Sequence, residues 1–181
     1  MEFELPSSRH TVRDVLPSDE PELIRLFDAC EDYFAAATGL PAGPGDVQSL
    51  FYSLPDGADV RDKQVLVVEA PSGELVGLVD LVLHYPDPDA CAVGLFLLRP
   101  DARRHGLGSA LAAALLQRAA DGGVRRITAT VPEGWEPGRA FLAARSFTLS
   151  EPEAVPGARA NRNTGPREGT VLRAELRLDA A

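Results

Sequence analysis

A loop in the second half of the chain, Arg103 to Gly108, has the composition of an anion-binding site. An apolar run that ends at Leu98 precedes the loop, and apolar residues with helical spacing follow it. The first N–H groups of a helix have no partner within it, and the helix dipole adds positive potential there. Gly106 and Gly108 should let a phosphate approach the backbone closely. The pattern predicts a pyrophosphate site, although Gly-x-Gly alone is as typical of a simple strand-to-helix turn.

Two other phosphate-binding motifs do not fit the chain. A P-loop requires Gly-Lys-Ser/Thr, and the only lysine, Lys63, is followed by a glutamine. The dinucleotide-binding fingerprint requires a third glycine, and Leu111 stands at that position. The loop therefore fits a phosphate ligand of another kind.

Hydrophobic periodicity predicts the elements that would position this loop. The predicted strands are His10–Leu16, Gln64–Ala70, Leu75–His84, Cys91–Leu98, Arg125–Val131, Phe147–Leu149 and Thr170–Leu178. Helices are predicted after Asp19, over Val47–Tyr52, from the loop to Gly122, and over Pro137–Arg145. The order predicts one α/β domain over residues 1–181, with a central mixed (α+β) sheet of six to seven strands flanked by about four helices. The polar segment Ala154 to Gly169 is predicted to be a long loop that can be mobile.

Composition limits the classes of function. The formal net charge of −9 argues against a nucleic-acid binder, which needs a basic surface. The chain has no apolar run of membrane-spanning length, and its first residues do not have the pattern of a signal peptide. Its two cysteines, Cys30 and Cys91, imply no disulfide framework, and no His/Cys/Asp spacing indicates a metal site. We expect a cytoplasmic protein with no metal, nucleic acid or membrane as a partner.

The stretch Leu95–Leu111 resembles motif A of the GNAT superfamily of N-acetyltransferases. That motif combines an apolar strand ending near a proline with Arg/Gln-x-x-Gly-x-Gly/Ala, and Arg103, Gly106 and Gly108 occupy these three positions. The stretch Arg139–Phe147 resembles the fourth helix of the family and the residues that follow it.

The resemblance implies that acetyl-CoA is the cosubstrate and that its acetyl group passes directly to a primary amine of a small molecule or a peptide. Backbone amides of the loop would hold the pyrophosphate, and the strand before the loop would pair with the pantetheine arm. That strand would separate from Arg125–Val131 to open a cleft. The cofactor-binding residues implied in this way are Phe96, Leu97, Leu98, Arg103, Arg104, His105, Gly106, Leu107, Gly108 and Ser109.

The catalytic groups of the family are not all present. Leu142 stands where many members carry a tyrosine that acts as the general acid. The strand Ala92–Leu98 contains none of the acidic residues that many members place on it. The candidates that remain are Glu133, just after a predicted strand, Asp80, inside an apolar strand, and Tyr33. Each has a structural alternative. Glu133 would be a solvated loop acid, Asp80 an edge-facing or hydrogen-bonded aspartate, and Tyr33 a residue of the core.

Substrate contacts are predicted for aromatic residues near the first helices and before the last one. These residues are Tyr33, Phe34, Tyr52 and Trp135, for which core packing is the alternative. Three arginines of the late loop, Arg159, Arg162 and Arg167, could bind CoA phosphates or an anionic acceptor, or simply be solvated.

Three hypotheses follow for the function. The first is an acetyl-CoA-dependent N-acetyltransferase, and the second is a non-catalytic CoA-binding regulatory module that has lost its acid. The third is an enzyme that uses a longer acyl-CoA. The chain is expected to be a monomer or a homodimer.

Overall fold

The computed structural model describes residues 1–6, 8–156 and 168–178. In this part of the chain the strands are β1 Glu2–Glu4, β2 Thr11–Asp14, β3 Lys63–Glu69, β4 Leu75–Leu83, β5 Ala90–Leu98, β6 Arg126–Pro132, β7 Thr148–Leu149, β8 Glu153–Pro156 and β9 Glu168–Arg177. The α-helices are α1 Glu20–Ala29, α2 Glu31–Thr38, α3 Pro44–Tyr52, α4 Leu107–Asp121 and α5 Glu136–Ala143. The strands form one sheet in the order β1-β2-β3-β4-β5-β6-β9-β7, and β8 pairs with β9.

The predicted mixed sheet with helices on both sides is confirmed, but the element counts were too low. The described residues form nine strands rather than six to seven, and five α-helices rather than about four. The three-residue strand β1 is too short to give a periodic signal. The segment predicted as a loop, 154–169, is paired at both ends, because Ala154 lies opposite Thr170 and Pro156 opposite Glu168. Residues 157–167 lie outside the described part, so the predicted mobility of the loop stays a prediction.

A gap between two strands is the feature of the sheet that bears on function. Neighbouring strands are antiparallel except β5 and β6, which are parallel. Their paired residues begin with Ala90 opposite Arg126 and end with Val93 opposite Ala129, although both strands continue. Directly beyond, the β4–β5 register shifts and leaves Gly94 as the extra residue of a bulge. The two strands therefore separate from the bulge onward, as the family resemblance implies.

The two faces of the sheet carry two cores. On one face, α4 packs Leu107 and Leu111 onto a cluster that includes Val79 of β4 and Cys91 of β5. On the other face, α1, α2 and α3 cover a second cluster that includes Leu78 of β4. Successive side chains of a strand point to opposite faces. The β5 side chains accordingly divide into two sets: Cys91, Val93, Phe96 and Leu98 face α4, and Leu95 and Leu97 face α1–α3.

Asp19, at the predicted start of the first helix, is buried and binds an arginine instead of capping the helix. Its carboxylate accepts hydrogen bonds from Arg13 Nη1 at 2.7 Å, from Arg13 Nη2 at 3.0 Å and from the Leu16 N–H at 2.8 Å. Asp19 is the N-cap residue of α1, but its side chain makes no capping hydrogen bond to the described backbone of the helix. The bond from Arg13 lowers the pKa of Asp19 below its ordinary value, against the opposing effect of burial.

We expect Asp19→Asn to lower the free energy of unfolding at pH 7 by roughly 1.5–3 kcal/mol, because charge-assisted hydrogen bonds contribute about that much. A carboxylate with a lowered pKa stabilises the fold above its unfolded pKa of about 3.9. That contribution is lost as the pH falls through the lower folded pKa. Urea unfolding at pH 7, 5 and 3 should therefore show a difference that shrinks only at pH 3. The exposed Asp56→Asn is the control, and an equal loss in both variants at pH 7 would contradict the role of Asp19.

Within the described residues, no helix is long and apolar enough to cross a membrane.

Candidate functional site

The predicted phosphate loop has an open backbone at the start of α4. Arg104 has a φ of 66° and Gly106 a φ of 85°, both in the left-handed region. Gly106 is the N-cap of α4, and no described side chain caps this helix end. A Cβ built on Gly106 would meet no described atom within 4 Å. The free N–H groups of the first helical turn therefore face a surface that an anion can reach.

Gly108 also has a packing role at the start of α4. A Cβ at Gly108 would lie 3.2 Å from Leu98 Cδ1 and 3.4 Å from Phe141 Cε2. The missing side chain lets α4 lie close to β5 and α5, and the predicted approach of a phosphate to its backbone stays a prediction. Gly108 therefore sets the position of the helix whose amino end forms the loop.

Arg103 points away from the loop to which its charge was assigned. Its Nε donates to the Leu98 carbonyl at 2.7 Å, and its guanidinium forms an ion pair with Asp32 of α2. The guanidinium carbon also lies 5.3 Å from the centre of the Trp135 ring. The Leu98 carbonyl receives a second bond from the Cys30 thiol at 3.5 Å. Arg103 thus joins the end of β5 to α2.

Arg145 is a basic residue of this site that the sequence analysis did not select. Its Nη2 donates to Ser109 Oγ at 2.7 Å, in the first turn of α4. Its guanidinium carbon lies 5.6 Å from the centre of the Phe141 ring, four residues earlier in the chain. Its Nε is buried and has no hydrogen-bond partner among the described residues. The predicted helix Pro137–Arg145 offered the spacing of four from Phe141 as a signal, although α5 itself ends at Ala143 and Arg145 lies in the turn after it.

Beside the loop, the gap between β5 and β6 opens into a cavity of about 250 Å³ with mostly apolar walls. In its lining, Tyr33 of α2 meets Trp135 edge to face, with ring centres 5.7 Å apart. Phe96 of β5 lies near Phe141 of α5 in the same lining, with ring centres 5.3 Å apart. Leu142 also lines this cavity. Two of the predicted substrate contacts, Tyr33 and Trp135, therefore lie together at the gap.

Asp80 lies on the opposite face of the sheet, at the bulge. Successive side chains of a strand point to opposite faces. Val79 faces α4, so the side chain of Asp80 shares the α1–α3 face with Leu78. Lys63 Nζ donates to Asp80 Oδ1 at 2.7 Å, and the two side chains are 6% and 16% exposed. A Cβ built on Gly94 would lie 3.5 Å from Asp80 Oδ2. Burial raises the pKa of Asp80, and the bond from Lys63 opposes this shift. One carboxylate oxygen is thus held by Lys63, and the other lies over the glycine where β5 and β6 separate.

Other predicted site residues lie away from the gap. Glu133 is exposed after β6, and its backbone N–H bonds to the Thr170 carbonyl at 2.9 Å. Neither Glu133 nor Asp80 is among the residues that line the cavity, but Asp80 lies against Gly94, where the gap opens. Tyr52 is 83% exposed at the end of α3. Phe34 is buried against Phe27, with ring centres 4.9 Å apart, and Leu97 is buried on the α1–α3 face.

Arg104 and His105 are exposed in the loop. The predicted contacts Arg159, Arg162 and Arg167 lie outside the described residues. Within the described part, no group of three or more His, Cys, Asp or Glu side chains is placed to hold a metal ion.

Comparison with known proteins gives a consistent result. Residues 25–147 match the family model described as the acetyltransferase (GNAT) family. An acetyltransferase from Thermus thermophilus is 26% identical with a TM-score of 0.66, and the match covers 97% of this chain and 100% of that one. The acetyltransferase from Salmonella typhimurium that modifies the N-terminal serine of ribosomal protein L7/L12 is 16% identical with a TM-score of 0.73, over 99% and 100% of the two chains. An N-acetyltransferase from Staphylococcus aureus Mu50 is 16% identical with a TM-score of 0.67, over 95% and 100%. A search of curated proteins gave no match.

Proposed function

The chain belongs to the acetyltransferase (GNAT) family, and on that basis we propose that it transfers an acetyl group from acetyl-CoA directly to a primary amine of a small molecule or a peptide. The observation that carries the proposal is the gap between β5 and β6, which opens at Gly94 beside the uncapped amino end of α4. An uncapped helix end, which could bind a phosphate, and a cleft within the sheet are thus close to each other. This arrangement suits a long ligand with an anionic end and a reactive end.

The residues present fit CoA in chemistry and position. Backbone amides from Arg104 to Ser109 would bind the pyrophosphate, and Arg145 would add charge. The Arg99 N–H bonds to the Val76 carbonyl, so the backbone of Arg99 faces β4. Backbone groups alternate in direction along a strand, and those of Leu98 and Phe96 therefore face away from β4 and toward the gap. Because the Leu98 carbonyl already accepts from Arg103, we assign the pairing with the pantetheine arm to Phe96 and to the Leu98 N–H. When bound, acetyl-CoA supplies an activated thioester.

Asp80 is the proton acceptor in this proposal. An amine acceptor is an ammonium ion at neutral pH and must lose a proton before it reacts. Asp80 Oδ2 lies over the bulge, on the face of the sheet opposite α4, and Lys63 fixes the other oxygen. The acceptor would therefore enter from the α1–α3 face, while CoA lies along α4.

Tyr33 is the proton donor in this proposal. It would take the role of the tyrosine that many family members carry at the position of Leu142. Tyr33 of α2 and Leu142 of α5 line the same cavity. The Tyr33 hydroxyl would protonate the departing thiolate, and Trp135 holds the ring edge to face. Tyr33 and Trp135 would also form the wall that the acceptor meets.

A non-catalytic CoA-binding module is the second candidate function. Leu142 favours it, because a leucine at the cavity wall cannot donate a proton. Thiol release by the purified protein, measured with a panel of primary amines, separates the two when acetyl-CoA binding is measured by calorimetry in parallel. Turnover with any amine supports the enzyme, and binding without turnover across the panel supports the module. Absence of binding would overturn both.

We also place the protein in the cytoplasm, as a monomer or a homodimer without nucleic-acid or membrane partners. The two cysteines lie in the described part, and both are free and buried, which is in keeping with a reducing compartment. The net charge of −9 is unfavourable for binding to nucleic acid or to anionic lipid.

We expect Arg145→Met to weaken acetyl-CoA binding about tenfold, because one charge-assisted bond to a phosphate is worth about 1.4 kcal/mol or more. Methionine keeps the packing on Phe141 and removes the charge. The measurement is the calorimetric Kd at low and high salt, and the difference should shrink at high salt. Arg25→Met, on the exposed side of α1, is the matched control. Equal affinities of the two variants would exclude Arg145 from the phosphate site.

A further inference from the structure

The cavity at the gap extends well beyond the part that an acetyl group needs. It continues between the sheet and the second half of α4, where most of its walls are apolar and Arg118 and Gln64 are polar members of the lining. The residues that line this extension include Cys91, Val93, Leu115, Ala119, Val124 and Ile127. We call this part of the cavity the α4 tunnel.

The α4 tunnel lies on the far side of the bulge from the phosphate loop. Ala119 follows Leu107 by twelve residues, which corresponds to about 18 Å along the helix. Cys91 precedes Gly94 by three residues, or about 10 Å along β5. A ligand with its phosphates at the start of α4 and its thioester at the bulge would therefore have the tunnel directly beyond its thioester.

The packing of α4 changes at the tunnel. Leu107 and Leu111, near the start of the helix, are 5% and 0% exposed. Leu115 and Ala119 continue the same stripe toward the sheet, yet they are only partly buried. Protein interiors are normally packed as closely as organic crystals. The helix therefore leaves an apolar space under its second half, and space of this kind binds apolar molecules: a cavity of about 150 Å³ holds benzene.

We propose that the α4 tunnel receives the hydrocarbon tail of an acyl-CoA longer than acetyl-CoA. The inference rests on the proposed transfer of an acyl group from CoA to an amine, and it replaces acetyl-CoA by a longer acyl-CoA as the preferred donor. The occupant is a chain continuous with the thioester, because the tunnel and the gap belong to one cavity and most of the tunnel lining is apolar. The C–S bond of the thioester breaks and a C–N bond forms. The ammonium ion first gives a proton to Asp80, and the thiolate takes a proton from the Tyr33 hydroxyl to become the CoA thiol. Tyr33 regains a proton from the nitrogen that forms the amide.

The test compares acetyl-, butanoyl-, hexanoyl- and octanoyl-CoA by calorimetry and by thiol release. Burial of each methylene group strengthens binding, so we expect hexanoyl-CoA, which has four more methylene groups, to bind the wild-type protein at least about tenfold more tightly than acetyl-CoA. The ratio of kcat/KM values should follow the same order. Equal or weaker binding of the longer chains would overturn the proposal and leave acetyl transfer intact. Absence of binding by all four would overturn the proposed function itself.

Ala119→Phe fills the tunnel and should remove the preference for long chains, while the Kd for acetyl-CoA changes less than about twofold. Ala113→Phe, on the exposed side of the same helix, is the matched control and should keep the preference. Ala119→Leu is a milder variant if the phenylalanine disturbs folding, which circular dichroism and the Tm will reveal. A long-chain preference that survives in both Ala119 variants, or an equal loss for acetyl-CoA, would contradict a tail site in the tunnel.

Discussion

Acetyl-CoA binding should be lost when Gly108 is replaced by glutamate, with a Kd at least about 100-fold higher than that of the wild-type protein. Two effects act together. The new Cβ would lie 3.2 Å from Leu98 and 3.4 Å from Phe141, so these two side chains must give way before α4 can keep its place. The carboxylate also enters the first turn of α4, where it opposes the phosphates. Gly108→Ala, which has the steric effect without the charge, should give an intermediate Kd by calorimetry.

Gly45→Glu is the control for Gly108→Glu. Gly45 lies in α3, and a Cβ there would meet no described atom within 4 Å. This variant adds the same charge to α3, which covers the face of the sheet opposite α4, and it should bind acetyl-CoA with the wild-type Kd. If Gly108→Glu folds with the wild-type Tm and binds within threefold of the wild type, the amino end of α4 is not the phosphate site.

The sequence allowed the loop, its flanking strand and helix, and the mixed sheet to be predicted, since each depends on local patterns. The unpartnered N–H groups at the start of α4 follow from the helix itself. The gap between β5 and β6 came from the family resemblance, because no local pattern distinguishes paired residues from unpaired ones within an apolar strand.

The partners of the charged residues could not be predicted. Arg103 and Asp32 are 71 positions apart, and Arg145 and Ser109 are 36 apart. Asp80 stands in a strand that is apolar on both sides of it, so alternation alone did not show which face its side chain occupies. Contacts between distant segments depend on the sheet order, which the local sequence does not encode.

The sheet separates the two substrates in the proposed reaction. Phe96 and Leu98 face α4, where CoA and any acyl tail would lie, and Asp80 faces α1–α3, where the acceptor would enter. The gap at Gly94 is where the two sides meet. The acid that is missing from β5 is thus supplied, in this proposal, by the neighbouring strand β4, which places Asp80 opposite Leu95.

Asp80→Asn should lower kcat by roughly 100- to 10,000-fold, which is the usual contribution of a general base. Asparagine has almost the same shape and can still accept from Lys63, but it cannot take a proton. The Kd for acetyl-CoA should stay within about twofold, because the carboxylate faces away from α4. Asp28→Asn, exposed on α1, is the matched control. A loss of activity in Glu133→Gln but not in Asp80→Asn would transfer the role of base to Glu133.

The pH profile of kcat/KM gives a second test that does not depend on the size of the loss. The reactive form of Asp80 is the carboxylate, so activity should rise as the pH increases through the pKa of Asp80. Burial raises that pKa, and the acid limb should therefore lie above the ordinary value of about 3.9. Lys63→Met removes the opposing bond, which should raise the pKa further and shift the limb to higher pH. A limb that stays in place in Lys63→Met and persists in the residual activity of Asp80→Asn would belong to another group.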